Sequence, residues 1–98
     1  MNRQLIIRPE AEAEMAEAFD WYEKRVSGLG TSFLLSVEAV MQAILRNPQQ
    51  YPRRHGIVRC ALLRRFPYEV FFVENDERIV VLAVFHARRN PKRWQTRF

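Results

Sequence analysis

Apolar positions along this chain recur at two spacings, and the change from one to the other divides it. Residues 4–8 are a short β-type run closed by Pro9, after which apolar residues fall at helical intervals. Met15, Phe19, Tyr22 and Val26 stand at i, i+4, i+7 and i+11, one stripe of an α-helix. Pro9 suits the first turn of that helix. Glu10, Glu12, Glu14 and Glu17 favour its positive end, and Lys24 and Arg25 its negative end. Gly28 is able to take the positive φ that terminates it. The pattern predicts a first helix over residues 9–26. Phe33, Val37, Val40 and Ile44 then repeat the spacing, with Leu34, Met41 and Leu45 widening the stripe. Asn47-Pro48 stops this second helix, because a residue before proline is pushed out of helical space. Two amphipathic helices joined through Gly28-Leu29-Gly30 read as an antiparallel pair. They need an apolar surface to cover.

The second half of the chain supplies that surface. Residues 49–56 form a polar connection containing Pro52, and residues 57–63 are a β-type run. Arg64-Arg65-Phe66-Pro67 makes a turn, residues 68–74 form the next strand, and Asn75-Asp76-Glu77 turns again. Residues 78–86 are apolar at nearly every position, which implies burial on both faces and a central strand. The expected fold class is α+β in βααβββ order. A twisted, mainly antiparallel sheet carries the helical pair on one face, and the first strand pairs with a three-strand meander. Alternation along the second strand places Val58, Cys60 and Leu62 toward the helices. Arg59, Ala61, Leu63 and Arg65 then fall on the opposite, open face.

Composition narrows the class without changing this picture. A chain of 98 residues, 48% apolar and 28% charged, is expected to form a single globular domain over residues 1–98. Cys60 is the only cysteine, so an internal disulfide is excluded and a reducing, cytoplasmic setting is expected. The longest apolar run, residues 79–85, has seven residues, far short of the ~20 of a membrane helix. No membrane partner is expected, and Leu5-Ile6-Ile7 is too short for a secretory core.

Charge adds more. The net charge is +5, yet residues 1–49 carry five basic and seven acidic residues and residues 50–98 eleven and four. Fourteen of the sixteen basic residues are arginine, whose planar fork suits phosphate and carboxylate. An excess of this kind points to an anionic partner or to a solvated basic face.

Most catalytic patterns are absent. Three glycines cannot build a phosphate cradle, and no cofactor is expected. His55, Cys60 and His86 lack paired metal-ligand spacing, so no metal is expected. The serines (Ser27, Ser32, Ser36) lie far in sequence from either histidine. Glu10 with Glu14 or Glu17 reads as a solvated acidic face. What remains is a basic constellation: Arg53, Arg54, His55, Arg59, Arg64 and Arg65, then His86, Arg88 and Arg89 after the last strand. His86, in phase with Val80, Leu82 and Val84, reads as a structural hydrogen-bonder or as a functional group beside two arginines.

Several of these stretches together resemble a known family. They are residues 64–72 (RRFPYEVFF), the run 79–85, and His86-Ala87-Arg88-Arg89-Asn90-Pro91. Pro9-Glu10-Ala11-Glu12, Trp21-Tyr22-Glu23, Gly28-Leu29-Gly30 with Phe33, and Asn47-Pro48 leading to Tyr51-Pro52 belong to the same set. The ordered set is similar to the RelE/ParE toxin superfamily of type II toxin–antitoxin modules, and to its ParE-like branch. The resemblance spans nearly the whole chain.

That resemblance implies a growth inhibitor neutralised by a cognate antitoxin, with a role such as plasmid stabilisation. RelE-like members cleave ribosome-bound mRNA without metal, using basic groups on the second and third strands, a late arginine and a C-terminal tyrosine. Here the lysine positions fall on Cys60 and Leu62, the basic residue after the tyrosine becomes Glu69, and only Arg89 matches. The late tyrosine falls near Trp94 and Gln95. ParE-like members poison DNA gyrase and need no such set. The leading expectation is therefore a gyrase poison that is not an enzyme. Arg59, Arg65, His86, Arg88 and Arg89 would form its target- or antitoxin-binding surface. The alternative is an endoribonuclease acting on ribosome and mRNA, with His86 as acid or base and Arg59, Arg65 and Arg89 on the phosphate. A further reading is a non-toxic basic nucleic-acid-binding module. The tail residues Lys92, Arg93, Trp94 and Arg97 suit it, and equally suit a loose terminus.

Overall fold

A computed structural model describes residues 3–88 and Arg97. Strand β1 (Gln4–Ile7) leads through Arg8 into α1 (Pro9–Arg25), with proline in its first turn, Glu10 and Glu12 at its start, and Lys24 and Arg25 at its end. Gly28, at φ 88°, turns the chain into α2 (Leu29–Arg46). The Glu23 carboxylate closes this corner. It accepts the Gly28 and Gly30 backbone N–H groups, each at 2.9 Å, and so satisfies donors that a helix start leaves open. After a 3-10 turn (Pro48–Gln50) come β2 (Arg53–His55), β3 (Val58–Leu62), β4 (Tyr68–Glu74) and β5 (Arg78–His86).

The sheet runs β1-β5-β4-β3-β2. β1 lies parallel to β5 and the other pairs are antiparallel. The fold is α+β with a helical pair on one face, and β5 is interior, as its continuous apolarity requires. β2 is an addition to the expected order. It is three residues long, exposed throughout and bounded by Pro52 and Gly56, so it carries no alternation for a sequence pattern to register.

Between sheet and helices lies the main core: Phe33, Val37 and Ile44 of α2, Ala11, Ala18 and Tyr22 of α1, and Val70, Phe72, Ile79, Val81 and Val84 of the sheet. Fully burying each of the larger side chains contributes about 1.5–3 kcal/mol. Helix α2 has a mean hydropathy of 1.2, long and apolar enough by composition to cross a membrane. Its buried stripe instead faces the sheet. The α1 stripe is rotated from expectation: Met15 and Phe19 are half-buried and Val26 is exposed. Ala11 and Ala18 occupy the closest approach because small side chains let the helix sit down on β5.

The face assignment of β3 is the reverse of the expected one. Ala61 and Leu63 join the main core, whereas Val58 and Cys60 pack with Phe71, Ala83 and Phe85 in a second cluster on the far side of the sheet. Alternation defines two faces but not which one the helices cover, and both faces of this strand hold apolar residues. Leu62, which alternation places toward the helices, is exposed. A register shift between Phe71 and Phe72 leaves Leu82 unpaired on β5. This bulge resets the phase, so that Ile79, Val81 and Val84 all face the helices.

Candidate functional site

The turn after β3 positions one end of the molecule. Phe66 folds back between the helices and meets Tyr22 and Phe33 at ring-centroid distances of 5.0 and 5.5 Å. Tyr68 meets Phe33 at 5.0 Å and the His86 imidazole at 5.2 Å, both edge-on. Backbone bonds fix this arrangement: Leu63 N–H to Tyr68 O at 2.9 Å, and Ala87 N–H to Pro67 O at 2.7 Å. The exposed turn residues Arg64 and Arg65 and the exposed Arg88 therefore share this end with His86.

His86 is half-buried, and its Nδ1 accepts the Arg88 backbone N–H at 3.1 Å. An acceptor at Nδ1 puts the proton of the neutral ring on Nε2. The phase reset by the bulge keeps His86 on the Val84 side of the sheet, whereas Leu82 packs on the far side.

Arg59 is not part of this end. It pairs in register with Phe72, four residues along β4 from Tyr68, or roughly 13 Å by strand rise. Its side chain is only 12% exposed, donates to Tyr51 O at 2.7 Å and lies 3.8 Å from Glu74, which Arg3 also approaches at 3.7 Å. Arg89, with Lys92, Arg93 and Trp94, lies outside the described residues. Of the predicted set, the fold thus brings together Arg65, His86 and Arg88, and holds Arg59 elsewhere in a carboxylate and carbonyl cradle.

The positions where an mRNA-cleaving relative carries basic groups are chemically quiet. Cys60 is buried in the second cluster, and its thiol is pushed up to about 12, first by burial and then by the Glu69 carboxylate. Glu69 takes Arg54 at 2.9 Å, and the same guanidinium nitrogen reaches Cys60 Sγ at 3.2 Å. The hydrogen bond to Glu69 is the main cause that raises the Arg54 pKa. Among the described residues, no group of three or more His, Cys, Asp or Glu gathers to hold a metal.

Sequence reasoning missed the acidic side. Glu14 Oε1 accepts the Val84 N–H at 2.9 Å, and Oε2 pairs with Arg97, whose other nitrogen donates to Leu82 O at 2.7 Å. The last backbone bond from the β1 side is Arg8 N–H to Val81 O. Beyond that point, carboxylate and guanidinium supply the β5 edge with the acceptor and the donor that a neighbouring strand would offer. Arg97 is thereby held, not loose. The signal for Glu14 was its phase, since Ala11, Glu14 and Ala18 lie on one face of α1. Beside it opens a groove of about 690 Å³ between α1 and the ends of β4 and β5. Ala18, Tyr22, Tyr68 and Val84 are among its floor residues, and Glu14, Glu17, Asp20 and Trp21 stand on its α1 side.

Comparison with known proteins matches this geometry to a family. The family model described as "ParE toxin of type II toxin-antitoxin system, parDE" matches residues 5–91. Toxin ParE2 of Mycobacterium tuberculosis (strain CDC 1551 / Oshkosh) is 32% identical over 92 residues, covering 93% of this chain and 88% of the relative. Toxin ParE2 of strain ATCC 25618 / H37Rv matches with the same figures. A solved structure described as the chromosomal ParDE TA system from P. aeruginosa superposes with a TM-score of 0.78 at 17% identity. It covers 88% of this chain and 97% of that one, and is similar in fold. The chain belongs to the ParE toxin family of type II toxin–antitoxin systems, within the RelE/ParE superfamily.

Proposed function

We propose that this chain is the growth-inhibiting member of such a module, that it acts in the cytoplasm by binding and poisoning DNA gyrase, and that a cognate antitoxin silences it. The observation that carries the reading is the chemistry of the sheet. Cleavage of RNA through a ribose 2′-OH needs a proton acceptor, positive charge on the phosphate and a proton donor. In place of the relatives' basic groups stand the buried neutral thiol of Cys60, the aliphatic Leu62 and a Glu69 carboxylate engaged by Arg54. Such a surface suits docking better than catalysis.

The contact end in this reading carries Arg65, His86 and Arg88, with Arg89 following in the chain. Arg59 contributes by bracing the sheet. Charged groups of this kind set encounter rate and orientation with an acidic partner surface.

Induction in cells tests the module and excludes the rival together. Expected outcomes are growth arrest, relief by co-expression of the neighbouring antitoxin reading frame, and intact mRNA by primer extension. Discrete mRNA cleavages that disappear in His86→Ala or Arg89→Ala would instead establish the endonuclease.

A further inference from the structure

The outer face of α2 differs in chemistry from the rest of the surface. The stripe from Phe33 to Ile44 is turned to the sheet. The opposite side carries Leu35, Ala39, Gln42 and Arg46, flanked by Leu34 and Glu38, and all six are exposed. Leu35 is 65% exposed. A solvated helix face is ordinarily charged. Here α2 holds one acid and one base over residues 29–46, whereas α1 holds eight charged residues over 9–25. Glu38 and Arg46 stand eight residues apart, about 12 Å along the axis, and so cannot pair within one helix. Among the described residues neither has an ion-pair partner.

We infer that this face binds a second copy of the chain, α2 against α2 in antiparallel, about a twofold axis at Gln42. Gln42 lies four residues from both Glu38 and Arg46. In that register each Glu38 meets Arg46 of the partner subunit, and the contact occurs twice, as a twofold interface requires. The two Gln42 amides meet on the axis, where each offers the other a donor and an acceptor. Ala39 beside them allows the helices the close approach of packed pairs, about 8–10 Å. Leu34 and Leu35 lie toward the end of the partner's helix and add apolar area. Charge selects the same face. Two chains of +5 repel unless they meet on neutral surfaces, and this surface carries no net charge. Being opposite the sheet, it also sets the basic strands of the two copies apart by both helical layers, beyond the screening length of about 8 Å. A lipid surface would match the apolarity but leave Glu38 and Arg46 unanswered. The pairing does not depend on the proposed target. Arg65, His86 and Arg88 lie at the Phe33 end of α2, away from Gln42, and stay open in the dimer.

The test is analytical ultracentrifugation of the intact chain from about 5 to about 500 µM, because one pair of helix faces is a small interface with a dissociation constant of about 10–100 µM. The mass is expected to rise from the 11.7 kDa monomer toward twice that value. Glu38→Arg and Arg46→Glu should each weaken pairing at least about tenfold, since both reciprocal contacts turn repulsive. The double variant restores both contacts, and should recover wild-type pairing to within about threefold. An equimolar mixture of the two single variants should associate although neither does so alone. Both positions are exposed, so circular dichroism and melting temperature should stay unchanged. A monomer at every concentration overturns the inference. So does pairing that ignores the single substitutions, or pairing that the double variant fails to restore. Phosphatidylcholine vesicles check the lipid alternative. Vesicle binding by a chain that stays monomeric, abolished by Leu35→Glu, also overturns it.

Discussion

The Arg59 guanidinium is held at two points, by the Tyr51 carbonyl and beside Glu74, on a side chain with little exposure. Removing it leaves the Tyr51 carbonyl without this donor and Glu74 with Arg3 as its remaining ion-pair partner, at a cost of about 1–3 kcal/mol. Arg59→Ala should therefore lower stability in urea unfolding and leave gyrase inhibition by the folded fraction at the wild-type level. Lost inhibition at unchanged stability would make Arg59 a contact residue. Cys60 offers a second check. Burial raises its thiol from 9.0 to about 12, so the folded state keeps a proton that the unfolded chain releases earlier. That favours folding below pH 9, and the advantage disappears as pH rises toward 12. The stability difference between wild type and Cys60→Ala should shrink over that window, and the native thiol should resist a disulfide reagent at pH 8. At this scale the sequence was partly legible. The position of His86 at the end of β5 and its arginine neighbour could be read from order alone. The engagement of Glu14 could not, because a carboxylate on an apolar phase is informative only once its acceptor role for Val84 is seen.

Elements were legible wherever one period dominated. Both helices stand within a residue or two of their predicted bounds, since Pro9, Gly28 and Asn47-Pro48 punctuate a strong 3.6-residue pattern. The strands were legible in order but not in face. A bulge at Leu82 shifts the phase of β5, and β3 is apolar on both sides, so alternation alone assigned Arg59 and its neighbours to the wrong surface. The tight crossing of α1 and α2 makes a direct prediction. A Cβ built on Gly30 would lie 2.7 Å from the Phe19 backbone oxygen, an atom that cannot move aside without shifting the helix. Gly30→Ala should therefore cost about 1–3 kcal/mol, read as a lowered melting temperature. An unaltered melting temperature would mean that the helices separate freely at this corner.

Across the whole molecule, charge is segregated along the fold. Glu14, Glu17 and Asp20 of α1 stand along a groove, while Arg64 and Arg65 of the β3–β4 turn and Arg88 after β5 stand at the sheet end, with the Tyr22, Phe33, Phe66 and Tyr68 rings between them. Neither the groove nor the separation of Arg59 from His86 was visible in composition, because both depend on how β4 and β5 align. In the proposed function this surface binds a protein target and does not cut RNA. Supercoiling of relaxed plasmid by purified gyrase, titrated with the purified chain, tests it most directly. Dose-dependent inhibition is expected, and Arg65→Glu with Arg88→Glu should weaken it at least about tenfold. Unimpeded supercoiling at excess folded protein would contradict it.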